Sequence, residues 1–146
     1  MGVPAGQQNV VPYIMVTDGQ VLIQFLESTF GAQAGLIVKS TNGKKITHGE
    51  LKIGESLLYF ADGTEEAVNC DEDCSTGEQK YDAELKAKEP SNIHMYVYVD
   101  DAAEAVRRAE LAGGTSVTPV MEDENGIMGG FVDPFNNLWW VKSPKQ

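Results

Sequence analysis

The chain repeats itself, and the repeat limits the folds open to it more than any single motif does. At an offset of 83 residues, Val16-Thr17-Asp18 falls on Val99-Asp100-Asp101, Glu27 on Glu110 and Gly31 on Gly114. Few positions are identical, but the order of hydropathy patterns is the same in both halves. An apolar strand runs into an Asp, a helix of roughly 12 residues follows, and a Gly ends it. Two copies of one small unit within 146 residues predict a pair of matched modules rather than one irregular domain.

The helix ends carry their own signals. Asp18 and Asp101 are natural N-caps, because a short carboxylate accepts from first-turn amides that have no partner inside the helix. Val21, Leu22, Phe25, Leu26 and Thr29 make one apolar stripe at spacing 3–4, and Ala102, Ala105, Val106, Ala109 and Ala112 make the other. Gly31 and Gly113-Gly114 supply the left-handed residue that stops each helix. Three strand-like runs follow in each copy, at 33–40, 46–53 and 55–61, then at 115–122, 127–132 and 137–142. Asn42-Gly43, Gly54, Glu124-Asn125-Gly126 and Asp133-Pro134-Phe135-Asn136 mark the turns between them. The expected layout is a flexible N-terminus at 1–8, a βαβββ module at 9–62, an acidic linker loop at 63–91 and a second βαβββ module at 92–146.

Alternation along the strands sorts side chains onto two faces. Val10, Pro12, Ile14 and Val16 share one face of the first strand, and Ile93, Met95, Val97 and Val99 share the matching one. These aliphatic faces are expected to pack on the helices, which leaves Tyr13, His94, Tyr96 and Tyr98 on the opposite faces. Within 46–53, Leu51 and Ile53 take the helix side, so His48, Glu50 and Lys52 point the other way. Trp139 shares its face with Val141 and points toward the helix, which turns Trp140 outward with the tyrosines. A face that gathers both histidines, a Glu and several tyrosines has the make-up of a ligand cavity, mostly apolar with a few polar groups.

Charge excludes one class of partner. The chain has 11 Lys+Arg against 22 Asp+Glu, a net charge of -11, so phosphate backbones are repelled and no nucleic-acid partner is expected. No apolar run approaches the ~20 residues that a membrane-spanning helix needs, and no basic-then-apolar leader opens the sequence. The expectation is a soluble cytoplasmic protein without a membrane partner. Cys70 and Cys74 lie in an acidic run with no further residues to complete a four-ligand zinc site, so a solvated loop is expected there. Phosphate-binding loops, nucleophile elbows and dinucleotide fingerprints are absent from the sequence.

These features together resemble the vicinal oxygen chelate superfamily, and within it the PhnB-like glyoxalase/bleomycin-resistance/dioxygenase branch. The resemblance runs from about residue 9 to 143. It is carried by Pro12-Tyr13, Phe25-Leu26-Glu27-Ser28-Thr29-Phe30-Gly31-Ala32, His48-Gly49-Glu50-Leu51-Lys52-Ile53-Gly54, and Asp133-Pro134-Phe135-Asn136 with Trp139-Trp140. It implies an α+β fold in which paired βαβββ modules form curved mixed sheets around a cup-shaped cavity, commonly within a homodimer. Enzymes of the superfamily hold a divalent metal with one His, Gln or Glu from each of four strands. Those positions fall here near Val11, near Tyr59, on His94 and on Trp140, so only His94 offers a ligand. Glyoxalase I chemistry needs both the metal and a carboxylate base, and this pattern supplies neither.

Two constellations remain. His48 and Glu50 share a strand face, and with His94 they would form a two-His-one-carboxylate set suited to Fe(II), Mn(II) or Zn(II). Alternatively, His48 and Glu50 simply bond to each other or across strands. Tyr13, Tyr59, Tyr96, Tyr98 and Trp140 form aromatic walls which, with surplus acid, suit a flat cation through stacking and cation–π attraction. The leading expectation is a small-molecule-binding protein, suited to a cationic aromatic drug or metabolite, with no cofactor. Its ligand-binding residues would be Tyr13, His48, Glu50, Tyr59, His94, Tyr96, Tyr98 and Trp140. The alternative is a metal-dependent lyase or dioxygenase using His48, Glu50 and His94, and a third reading is a closed cup with no ligand.

Overall fold

The computed structural model describes residues 2–63 and 93–145. Cys70, Cys74 and nearly all of the acidic stretch expected as a linker lie outside the described residues. The chain divides into two units, Met1–Glu65 and Glu66–Gln146. Among the described residues each is a four-stranded mixed sheet with one helix.

In the first unit β1 (Tyr13–Val16) leads to α1 (Gly19–Phe30), then β2 (Gln33–Lys39), β3 (Ile46–Ile53) and β4 (Ser56–Asp62). The sheet order is β1-β4-β3-β2, with β1 parallel to β4 and the other pairs antiparallel. The second unit repeats this with β5 (Met95–Tyr98), α2 (Ala102–Leu111), β6 (Thr115–Asp123), β7 (Gly126–Val132) and β8 (Leu138–Ser143), in the order β5-β8-β7-β6. The α+β fold class and the βαβββ repeat read from the sequence are those of the structure.

The caps form as the residue types dictate. Asp18 accepts from the amides of Gln20 and Val21, and Gly31 closes α1 at φ 67°. Asp101 accepts from the amide of Glu104, and Gly113, at φ 106°, lies just beyond α2. One stripe is rotated from expectation. Val21 is exposed, and Ile23 joins Leu22, Phe25, Leu26 and Thr29 in the buried face, because the helix packs on the sheet through a wider arc than the spacing marked. The first strand is also shorter than its apolar run. Val10 and Ile93 are exposed, since the paired registers begin only at Tyr13 and Met95.

The two modules solve the packing problem with opposite size patterns. In the first, α1 brings large side chains, Leu22, Phe25 and Leu26, to a sheet contributing Leu51 and Phe60. Gly49 leaves room for Phe60, whose ring lies 2.2 Å from where a Cβ on residue 49 would stand. In the second, α2 brings Ala102, Ala105 and Ala109 to Phe131, Trp139 and Val141. Gly129 lets that helix settle, with Val106 Cγ2 2.8 Å from a would-be Cβ. Each of the large buried side chains is worth about 1.5–3 kcal/mol of hydrophobic free energy.

The last residue of the parallel strand locks each helix start to its sheet. Asp62 at the end of β4 accepts from the amide of Gly19 through one oxygen and from the amide of Ile46 (2.7 Å) through the other. Ser143 at the corresponding end of β8 accepts from the amide of Ala102 at 3.0 Å. Asp133, 3% exposed, organises the last turn. It accepts from the amides of Phe135 and Asn137, from the Asn137 side chain and from the Trp139 indole. Among the described residues no helix is long and apolar enough to cross a membrane.

On the surface of α2, Arg107 holds Glu104 through two bonds of 2.6 and 2.8 Å and Arg108 adds one of 3.0 Å. The Arg107 guanidinium first, then Arg108, lowers the Glu104 carboxyl to about 2.

Two outcomes are expected. Asp62→Ala leaves two backbone amides without an acceptor and should lower the unfolding free energy by about 2–4 kcal/mol, against about 1–2 for Ser143→Ala, as read from urea melts. Equal effects of the two substitutions would contradict the lock described. For Glu104, the folded value lies below the ordinary one, so its ion pairs are complete above about pH 4.5 and lost as pH falls through about 2. An NMR titration of the side chain should show that low midpoint, rising toward 4.5 in Arg107→Ala and in high salt.

Candidate functional site

The sheet face turned away from α1 carries the first cluster. Register fixes its membership: Glu50 pairs with Tyr59, Lys52 with Leu57, Gln33 with Lys52, and Tyr13 with Tyr59. Paired residues point to the same side, so these side chains share one surface. His48 and Glu50 follow on β3 at period two.

The geometry of the cluster is aromatic around one carboxylate. The His48 ring meets Tyr59 edge-on at 4.9 Å between centroids, and Tyr13 stands 6.3 Å from His48 and 6.4 Å from Tyr59. His48 Nε2 lies 3.2 Å from Glu50 Oε1, with the side chains 31% and 18% exposed. An ionised carboxylate only accepts, so the proton of the neutral imidazole sits on Nε2 and Nδ1 keeps its lone pair. The Tyr59 hydroxyl donates to Gln7 Oε1. Gln8 clamps the same segment to β4: its amide oxygen accepts from Leu57 N at 3.0 Å and its nitrogen donates to Leu57 O at 3.2 Å. The stretch expected as a flexible terminus thus carries two glutamines bonded to the site strand.

A cavity of about 300 Å³ opens beside this cluster. Its walls are Gly6 and Gln7 of the N-terminal segment, Gln33, Ala34 and Gly35 of β2, Glu50, Leu51 and Lys52 of β3, and Leu57 of β4. The β2–β3 register shifts between Ala34 and Ile37, so the outer strand departs from the regular ladder at the cavity wall. Of these residues the sequence reading placed Glu50 and Lys52 on the right face and named only Glu50 for the site. Gln33 was within reach through the strand register. Nothing in hydropathy periodicity points to Gln7, whose place depends on side-chain bonds to β4.

The second cluster stands on the corresponding face of the second module. Tyr96 pairs with Trp140 across β5 and β8, and Trp140 lies over Gly130, where a Cβ would meet its ring at 2.7 Å. His94 Nδ1 accepts the Trp140 indole N–H at 3.2 Å. An indole N–H can only donate, so the neutral imidazole carries its proton on Nε2 and presents a donor. Tyr96 and Tyr98 touch each other at 5.4 Å and are exposed. Trp139 points into the core, and Trp140 outward, as alternation predicts.

A superfamily-type metal centre does not fit these residues. Of the four positions, Val11 has no donor atom, the Tyr59 hydroxyl is spent on Gln7, and the Trp140 nitrogen is a donor committed to His94. His94 would have to give up that bond to offer Nε2 as a ligand. Within neither module, among the described residues, do three His, Cys, Asp or Glu side chains gather in a group able to hold a metal ion.

No protein-family model and no curated protein matches the chain. Solved structures do. TioX from Micromonospora sp. ML1 is similar with a TM-score of 0.60 at 20% identity, over 95% of this chain and 98% of that one. The fosfomycin resistance protein FosX from Mesorhizobium loti gives 0.63 at 16%, over 94% and 91%. A glyoxalase/bleomycin resistance protein/dioxygenase family enzyme from Burkholderia phytofirmans PsJN gives 0.62 at 19%, over 90% and 94%. Likeness of this extent over nine-tenths of the chain, with the strand order described above, gives the chain the glyoxalase/bleomycin-resistance fold.

Proposed function

We propose that the chain binds a flat, cationic small molecule on the sheet face of the first module without using a metal. One observation carries the reading: the Glu50 side chain is only 18% exposed, meets His48, pairs with Tyr59 across the strands and lines a cavity of about 300 Å³. A carboxylate held in a partly apolar wall is a standing attraction for a cation, because water screens it less than it screens a surface acid. The edges and faces of three aromatic rings around it suit a delocalised cation, where each cation–π contact is worth about 0.5–2 kcal/mol. The net charge of -11 raises the local concentration of such ligands. His94, Tyr96, Tyr98 and Trp140 offer a second aromatic face, with the His94 Nε2–H as a donor for a ligand oxygen. Assembly as a homodimer and a cytoplasmic location belong to the same proposal.

A second reading, a metal-dependent lyase or dioxygenase of the vicinal oxygen chelate type, has His48 and Glu50 on one strand face in its favour and their bond to each other against it. It would need His94 as the third ligand.

Calorimetric titration with proflavine, a planar cationic dye, separates the two. Micromolar binding that weakens about tenfold in Glu50→Gln, a loss of about 1.4 kcal/mol, is the expected result. Titration of metal-free protein with Ni(II), Zn(II), Mn(II) and anaerobic Fe(II) should show no binding tighter than about millimolar. One tightly held ion per chain, lost in both His48→Ala and His94→Ala, would replace the first reading by the second.

A further inference from the structure

We infer that the ligand of the first-module cavity is a zwitterion of the aromatic amino-acid class, with its ammonium on Glu50 and its carboxylate on Lys52. The inference rests on the cationic-ligand reading above and adds the second charge. Glu50 and Lys52 sit two residues apart on the same face of β3 and both line the cavity. No ion pair joins them among the described residues. A side-by-side acid and base with no ion pair between them, bordering one cavity, present it with two opposite charges. A ligand carrying one charge would satisfy one of them and be repelled by the other, whereas a zwitterion satisfies both.

The remaining wall atoms fit the same ligand. Gln7 has its side-chain oxygen engaged by the Tyr59 hydroxyl, so its amide nitrogen is left to donate, and a carboxylate is the acceptor that suits it. Gln33, paired directly with Lys52, adds an amide of both polarities at the same end. Glu50 divides its two oxygens: Oε1 meets His48, and Oε2 points toward β2, 4.0 Å from where a Cβ on Gly35 would stand. The ring of the ligand then continues onto the aromatic surface of His48, Tyr59 and Tyr13. A volume of about 300 Å³ is at the small end of ligand sites and suits the charged end of a ligand of amino-acid size, its ring lying on the aromatic surface beside the cavity, rather than a large drug.

Gly35 is the residue that keeps the space open. The nearest atoms to a Cβ there are those of Glu50 at 3.7–4.0 Å, ordinary contact distances, and its backbone is not in the left-handed region. A larger side chain at 35 therefore enters the cavity without disturbing the strand, which makes it a blocking position that leaves Glu50 and Lys52 in place.

Calorimetric titration of the purified full chain with L-tryptophan, tryptamine and indole-3-propionate tests the inference. These probes share the indole and differ in charge: both signs, ammonium only, carboxylate only. Tryptophan is expected to bind at least ten times more tightly than either analogue. Lys52→Met should erase its advantage over tryptamine while tryptamine still binds. Gly35→Leu should abolish binding of all three with an unchanged melting temperature. Tryptamine binding as well as or better than tryptophan overturns the zwitterion while leaving the cationic reading intact. A tryptophan preference that survives Lys52→Met also overturns it. Absence of binding by tryptamine, tryptophan and proflavine alike removes both readings.

Discussion

Asp62 is where the first module becomes a single object. Its two carboxylate oxygens accept from the first amide of α1 and from the first amide of β3, at the end of the strand that pairs in parallel with β1. A parallel pair must be joined by a crossover, and a crossover is only as well placed as the junction where the helix starts. One residue therefore sets the helix against the sheet and starts β3, the strand that carries His48, Glu50 and Lys52. Ser143 performs the first half of this task in the second module, with one acceptor and one amide. A serine suffices there because α2 is lined with alanines and comes down closely on Gly129, so packing itself restrains it.

Once β3 is fixed, strand alternation does the rest of the positioning. Leu51 and Gly49 must face the helix, one to fill the core and the other to admit the Phe60 ring. Their neighbours have no choice but to face the other way. The acid, the base and the imidazole of the site are thus held by the same periodicity that builds the core. Any shift of β3 by one residue would bury Glu50 and Lys52 against α1, a cost far larger than the site could return. Core packing and ligand geometry are consequently one constraint here.

This coupling explains which features could be read from the sequence. The repeat, both caps, the βαβββ order and the inward turn of Trp139 follow from local chemistry and period, and the structure has them. The faces of His48, Glu50, Tyr13 and Trp140 follow from alternation too. What alternation cannot supply is the start of pairing, so Val10 and Ile93 were expected inward and lie exposed. Nor can it supply side-chain fastenings across distance. Gln7 and Gln8 look like any polar pair in a terminal stretch, yet they hold the N-terminal wall of the cavity through Tyr59 and Leu57. The shift of register between Ala34 and Ile37, which shapes the opposite wall, has only Gly35 as a trace in the sequence.

The hydrogen bonds of the two histidines decide what each ring can offer a ligand. A metal site asks for several lone pairs aimed at one point. Here Tyr59 is bonded to Gln7, and Trp140 spends its one donor on His94. Both histidines carry their neutral-form proton on Nε2, but the partners differ. Glu50 takes that proton's bond at His48 and leaves a lone pair outward, while Trp140 takes the lone pair at His94 and leaves an N–H outward. One ring is set to accept and the other to donate. A metal ion at His94 would require the donor nitrogen to become an acceptor and the bond to Trp140 to break.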